Sequence, residues 1–158
     1  MGVADSGALH HTCFVVRDVE EAAKALSESL SIGPWNVWTI EPTEATVRGE
    51  PRSFSFRIAL AEVEGGAFEL LAPLSGDSVY TEFLDDQGEG HHHTCFAYST
   101  LEAMQEARSE LFAQGRELVQ SGSVGDAAEF SYFAIPEVGS VLELLFLAEL
   151  PPPEKTIE

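Results

Sequence analysis

The string His10-His11-Thr12-Cys13-Phe14 recurs as His92-His93-Thr94-Cys95-Phe96, with His91 in front of the second copy. All five histidines and both cysteines of the chain lie in these two stretches. A residue type scattered for solubility would not cluster in this way, and the identity points to an internal duplication. A second matched pair lies further along, Ala67-Phe68-Glu69-Leu70-Leu71 against Val141-Leu142-Glu143-Leu144-Leu145. In each, one carboxylate interrupts an apolar strand, which is costly unless it is paired, protonated or bound to a metal. Imidazole with carboxylate suits zinc, cobalt, nickel, manganese or iron(II), so His11, Glu69, His93 and Glu143 form a candidate quartet for one divalent ion per chain. A lone strand histidine is more often a satisfied core residue than a ligand, and a lone strand glutamate often faces solvent. The symmetric placement of all four shifts the balance toward a metal.

The other histidines compete with the chosen pair. On a regular strand His91 shares the parity of His93, whereas His10 and His92 face away. His11 and His93 are preferred because each stands directly before Thr-Cys-Phe. His91 is the reserve candidate.

The elements that must position these residues repeat as well. His11 to Gly33 and His93 to Gly115 are both 22 residues. Leu9–Val16 suits a buried strand, Asp18 an N-cap, and Val19, Ala22, Ala23, Leu26 and Leu30 the apolar face of a helix stopped by Gly33. Strands are predicted over Trp35–Ile40, Phe54–Glu62 and Ala67–Ala72, with a polar loop over 42–52. The second half repeats this order with a Thr100-capped helix and strands near Glu117–Gln120, Glu129–Ile135 and Val141–Leu147. The fold class is therefore α+β, with two tandem βαβββ modules in one domain over 1–158. Module 1 covers about 8–73, a linker 74–90 holds one short helix near Val79–Leu84, module 2 covers about 91–148, and 149–158 reads as a frayed tail. Phe54, Phe56, Ile58 and Leu60 should meet the helix. That leaves Arg57 on the cleft side as a substrate-binding residue, or else as a counter-ion for a nearby glutamate. Trp35 and Trp38 are candidates to wall a pocket, or plain core.

Composition narrows the partners. Twenty-seven acids against 8 bases give a formal charge of −19, which argues against nucleic acid and anionic membrane surfaces and disfavours polyanionic ligands. No apolar run approaches the ~20 residues of a membrane helix. The first residues lack a basic segment followed by an apolar core, so no signal peptide is expected and the protein reads as cytoplasmic. Cys13 and Cys95 are expected as buried thiols.

Paired βαβββ modules, each with a strand histidine near its start and a strand glutamate near its end, resemble the vicinal oxygen chelate superfamily, which includes glyoxalase I, methylmalonyl-CoA epimerases and bleomycin-resistance proteins. The matching stretches are Leu9–Ala23, Gly66–Leu74, Gly88–Phe96 and Gly139–Leu145. The resemblance implies a mixed sheet curled into a cleft around one metal. It implies an isomerase, epimerase or lyase that stabilises an enolate-like form of a small carbonyl substrate, with Glu143, or its counterpart Glu69, as proton-transfer base. The 17-residue linker 74–90 is long enough for the two modules of one chain to form the site together, so a homodimer with the metal held inside each chain is expected, domain exchange between two chains being the alternative. Epimerases of the family tend to carry Gln at the place of Glu69 and a Glu-Gln-Gly-type segment where this chain has Arg52-Ser53-Phe54-Ser55; His/Glu/His/Glu instead matches bacterial glyoxalase I. The alternatives are a non-catalytic small-molecule-binding protein and an iron(II) dioxygenase.

Overall fold

The computed structural model describes residues 2–158. The first half runs β1 (Ala8–Val15), α2 (Val19–Leu30), β2 (Trp35–Ile40), β5 (Ser55–Val63) and β6 (Gly66–Ser75). The second runs β7 (Gly90–Tyr98), α4 (Leu101–Ala113), β8 (Leu118–Val124), β9 (Ala128–Ile135) and β10 (Ser140–Leu147). Around this repeat stand a short α1 (Val3–Ser6), a hairpin of β3 (Glu44–Val47) and β4 (Glu50–Pro51), the linker helix α3 (Val79–Gln87) and a final β11 (Lys155–Ile157). All strands join one mixed sheet in the order β11-β2-β5-β6-β1-β7-β10-β9-β8-β3-β4. The α+β class with repeated βαβββ order agrees with the sequence reading.

Local chemistry sets the helix boundaries. The Asp18 carboxylate accepts from the backbone N–H groups of Glu20 and Glu21 at 2.9 and 3.0 Å, and the Thr100 hydroxyl accepts from Ala103 N–H at 3.1 Å, satisfying donors that a helix start leaves free. Helix α2 stops at Leu30, slightly short of the stop read at Gly33, because Ser31 takes the left-handed cap conformation at φ 57°.

Each half is covered on its outer face by its own helix. Val19 and Ala23 of α2 pack with Trp35, Val37, Ala59, Ala61 and Leu70. Met104, Ala107 and Leu111 of α4 pack with Tyr98, Phe133 and Leu144. The inner layer joins the halves, with Trp38, Phe56, Ile58 and Leu71 from the first, Phe130 and Tyr132 from the second, and Tyr80 and Leu84 from α3. Side chains of β2 and β5 line one cavity with side chains of β9 and β10, so the sheet curls until its two wings face each other.

This arrangement inverts the expected orientation of β5. Ala59 and Ala61 meet α2, while Phe56, Ile58 and Leu60 face the cleft. The helix side is already filled by Trp35, Leu70, Phe14 and Phe68, so alanines suffice there. On the inner face only α3 packs, through Tyr80 and Leu84, and large side chains of the strands must fill the rest. Two irregular segments are also ordered by distant partners. The 42–52 stretch forms β3 and β4, and β3 crosses to the other module, pairing Glu44 with Ser123 and Val47 with Gln120. The 149–158 end is no frayed tail: β11 pairs with β2, Ile157 is 7% exposed, and the Pro151 carbonyl accepts from Trp38 Nε1 at 2.8 Å. Among the described residues no helix is long and apolar enough to cross a membrane.

Ile157 is the anchor of this terminal segment. Ile157→Ala is expected to cost about 2 kcal/mol, at the low end for a buried aliphatic truncation because the site is at a sheet edge. A urea titration should show a lower midpoint at unchanged slope; an unshifted midpoint would mean that the docked strand contributes nothing to stability.

Candidate functional site

The site sits where the two halves meet. β1 and β7 pair antiparallel, with Thr12 opposite Thr94, His11 opposite Cys95 and Cys13 opposite His93. On their other edges β1 pairs parallel with β6, placing Cys13 beside Glu69, and β7 pairs parallel with β10, placing Cys95 beside Glu143. Two neighbouring rungs of the sheet therefore read Glu69-Cys13-His93 and His11-Cys95-Glu143.

Three of the quartet chosen from the sequence, His11, His93 and Glu143, bring donor atoms within 4.8 Å of one another, and Glu69 approaches the two histidines. His11 Nε2 and His93 Nε2 lie 3.4 Å apart. Glu143 Oε2 is 3.2 Å from the first and 3.0 Å from the second, and Glu69 Oε1 is 3.5 and 3.9 Å from them. All four residues are buried. Despite its two imidazole neighbours, Glu143 Oε2 makes no directed hydrogen bond, so proximity here is electrostatic and leaves a buried oxygen unsatisfied. Native interiors rarely tolerate such an atom. Donors held about 2.0–2.2 Å from a common ion stand roughly 3–3.5 Å from one another, and all but the longest of these separations match. His11, His93 and Glu143 fit a divalent metal through two nitrogens and one oxygen, with Glu69 beside them to supply a second oxygen.

Bulges on β1 and β7 place these side chains. The pairing steps from Leu9–Phe96 to His11–Cys95 and from Cys13–His93 to Phe14–His91, so His10 and His92 are each one residue too many for the ladder. This corrects the parity argument. His92 does not face away but is buried beside His93, and His10 lines the cleft beside His11. His91, the reserve candidate, is exposed and stacks edge-on against Phe14 on the opposite side. A bulge resets the alternation that parity assumes. The signal for it was the adjacency of two histidines in both copies.

The substrate-binding expectations divide. Arg57 does not enter the cleft. It shares a face with Ala59, reaching Glu20 of α2 at 3.1 Å and Glu154 at 3.0 Å, which is the counter-ion role. Trp35 is fully buried on the helix side and donates from Nε1 to the Ile32 carbonyl at 2.8 Å; it is core. Trp38 does wall the cleft, with Ile40, Phe56, Ile58, Leu60, Leu71, Phe130, Tyr132, Leu145 and Leu150 around a cavity of about 100 Å³ that opens onto His11, Glu69 and Glu143. Tyr132 was missed from the sequence; its ring lies 4.8 Å from that of His93 and its hydroxyl is 2.6 Å from that of Tyr80. A larger open groove of about 640 Å³ between β3 and β8 contains none of the quartet.

Burial and charge set the protonation of the metal-free site. Burial opposes a charge on His11, but the carboxylates of Glu69 and Glu143 outweigh it and push the imidazole up to about 9. Burial likewise opposes ionisation of Glu143, yet His11 and His93 hold its carboxyl well below the usual range. The His92 ring, buried and next to His93, is pushed down to about 3 and stays neutral. Both cysteines are free, and burial together with Glu69 beside Cys13 and Glu143 beside Cys95 raises their thiols, which remain protonated.

A raised histidine stabilises the fold fully below its unfolded value and loses that contribution as pH rises through its folded value. Chelator-treated protein should therefore lose thermal stability between pH 6.5 and about 9, and His11→Gln should flatten that part of the profile. Parallel thermal scans of the two proteins check this; identical slopes would remove His11 as the group responsible.

The family model described as the Glyoxalase/Bleomycin resistance protein/Dioxygenase superfamily matches residues 10–133. No curated protein matches the chain. Among solved structures, a hypothetical protein of Bacillus halodurans is 20% identical at a TM-score of 0.65, over 93% of this chain and 99% of its own. Methylmalonyl-CoA epimerase of Mycobacterium tuberculosis is 25% identical at 0.61, over 90% and 89%. The Streptomyces coelicolor methylmalonyl-CoA epimerase in complex with 2-nitronate-propionyl-CoA is 16% identical at 0.61, over 92% and 100%. The family match covers most of both modules and both histidine motifs, and the chain belongs to the Glyoxalase/Bleomycin resistance protein/Dioxygenase superfamily, the vicinal oxygen chelate proteins.

Proposed function

We propose that the protein is a divalent-metal-dependent isomerase, epimerase or lyase acting on a small carbonyl compound, with His11, Glu69, His93 and Glu143 as the metal ligands. The observation that carries this reading is the convergence of His11 Nε2, His93 Nε2 and Glu143 Oε2, with Glu69 Oε1 at 3.5 and 3.9 Å from the two nitrogens, at a place where Glu143 Oε2 makes no directed hydrogen bond. When bound, a divalent ion supplies a Lewis acid that draws charge from a carbonyl oxygen and acidifies the adjacent C–H.

The chain's own residues supply the rest. The Glu143 carboxylate takes the proton from carbon and returns it, and Glu69 is its counterpart on the other rung. Carboxylates in a site walled by Trp38, Phe56, Ile58 and Phe130 meet little water, which strengthens every charge interaction there. The apolar wall orients a substrate by shape rather than by charge. The solved neighbours include epimerases of CoA esters. In this chain the net charge of −19 repels a polyphosphate, Arg57 is turned away and paired, and the cavity holds about 100 Å³. These features favour a compact, uncharged carbonyl compound over a CoA thioester. The quartet comes entirely from one chain, so a homodimer would carry two independent sites.

Several measurements test this reading. Elemental analysis is expected to find about one divalent ion per chain, and His11→Ala or Glu143→Ala should remove most of it; full occupancy in both variants would sink the assignment. Screening compact ketones and aldehydes for C–H to C–D exchange in deuterated water, with metal restored, should reveal turnover. On any substrate so found, Glu143→Gln is expected to keep part of the metal while turnover falls by ~10²–10⁴, the range for a lost general base. Glu69→Gln should be milder, and the opposite ranking would exchange the two roles. Arg57→Met should leave both metal content and KM unchanged, whereas a raised KM would return Arg57 to the substrate site.

A further inference from the structure

Each histidine of the quartet is backed by the histidine that precedes it. His11 Nδ1 lies 2.8 Å from His10 Nδ1, and His93 Nδ1 lies 2.8 Å from His92 Nδ1. The ring planes meet at 80° in the first pair and 86° in the second, with centroids 5.0 and 5.1 Å apart. Adjacent side chains of a regular strand point to opposite faces and do not touch in this way. They touch here because both strands bulge at the preceding histidine. The same contact, produced by the same bulge on two strands, is part of the duplicated design and not an accident of one loop.

Proton accounting then fixes the state of each ring. A neutral imidazole carries one N–H, and its other nitrogen offers a lone pair. For the Nε2 atoms of His11 and His93 to present lone pairs toward a cation, their protons must reside on Nδ1. Each Nδ1–H then points at the Nδ1 of its neighbour, which must accept and therefore carry its own proton on Nε2. Two Nδ1–H groups facing each other would clash, and two lone pairs would leave both unsatisfied.

We infer that His10 and His92 are positioning residues whose Nδ1 atoms accept a hydrogen bond from the Nδ1–H of His11 and His93, locking the tautomer and rotation in which both Nε2 lone pairs face the quartet. Ligand histidines usually make this second hydrogen bond to a carboxylate, carbonyl or water; here an imidazole on the same strand does so. His92 is held for the task between Tyr80, Phe83 and Tyr132, with ring centroids at 5.7, 5.1 and 6.0 Å, while His10 stands at the cleft wall. The inference rests on the metal reading of the quartet.

The test uses the full chain and cobalt(II) or zinc, with affinity measured by chelator competition. His10→Leu and His92→Leu, which remove the acceptor, are expected to weaken binding by about 10- to 100-fold, the usual effect of losing such a partner. His10→Asn and His92→Asn, whose amide oxygen takes the place of the accepting nitrogen, should recover most of the loss, which a purely structural role would not require. In the zinc-loaded wild type, long-range proton–nitrogen NMR of the imidazoles should show His11 and His93 protonated at Nδ1 and His10 and His92 at Nε2. That spectrum needs no variant and stands even where a leucine variant fails to fold. Wild-type affinity in both leucine variants, or Nδ1 protonation of His10 and His92, would overturn the inference while leaving the metal site intact. A wild-type chain that takes up no ion would overturn the quartet reading, and this inference with it.

Discussion

Two carboxylates and two imidazoles buried at one point form an arrangement that water would otherwise dissolve, and the whole architecture serves to hold it. Removing such groups from solvent costs several kcal/mol per charge before compensation. Compensation here comes from mutual placement. The antiparallel pairing of β1 with β7 sets Thr12 against Thr94, equivalent residues of the two repeats, so an approximate twofold axis passes between the strands. That axis carries His11 onto His93 and Glu69 onto Glu143. A single module offers one histidine and one glutamate, and only the pair of modules completes the set.

Symmetry extends beyond the quartet. In each motif the second histidine points to the centre, the first backs it at Nδ1, and the cysteine lies beside the glutamate of the neighbouring strand. The thiols, raised by burial and by those carboxylates, stay protonated. Five consecutive residues thus encode a central histidine together with the neighbour that backs it. This gives a physical reason for the motif to appear twice unchanged while the rest of the modules has diverged.

The departures from symmetry shape the cleft. Only the first module carries β3 and β4, and β3 leaves its own half to extend the edge of the other at β8. The C-terminal segment makes the reverse crossing. Leu150 joins the cleft wall, Pro151 accepts from Trp38, and β11 seals the edge of β2. Both crossings tie the wings of the curled sheet together, and the second adds Leu150 to the apolar wall of the cleft beside the quartet. Apolar walls strengthen the field of a charge held beside them.

The repeat, the fold class and the four converging residues were all legible in the chain, because strand and helix periodicity are local and because duplication prints the same chemistry twice. Asp18 and Thr100 announced their helices through their own side chains. What the sequence could not determine was which side of each strand faced what. The β5 alternation is equally clear in either orientation, and only the packing of α2 against Ala59 and Ala61 turned Arg57 outward and Phe56, Ile58 and Leu60 inward. The bulges at His10 and His92 have no local signature beyond the doubled histidine, since a bulge is a property of two paired strands. Likewise β3 and β11 are short, polar segments that are strands only because the free edges of β8 and β2 offer them partners. Residue types and their spacing identified the chemistry; strand pairing across the molecule decided which side chains share in it.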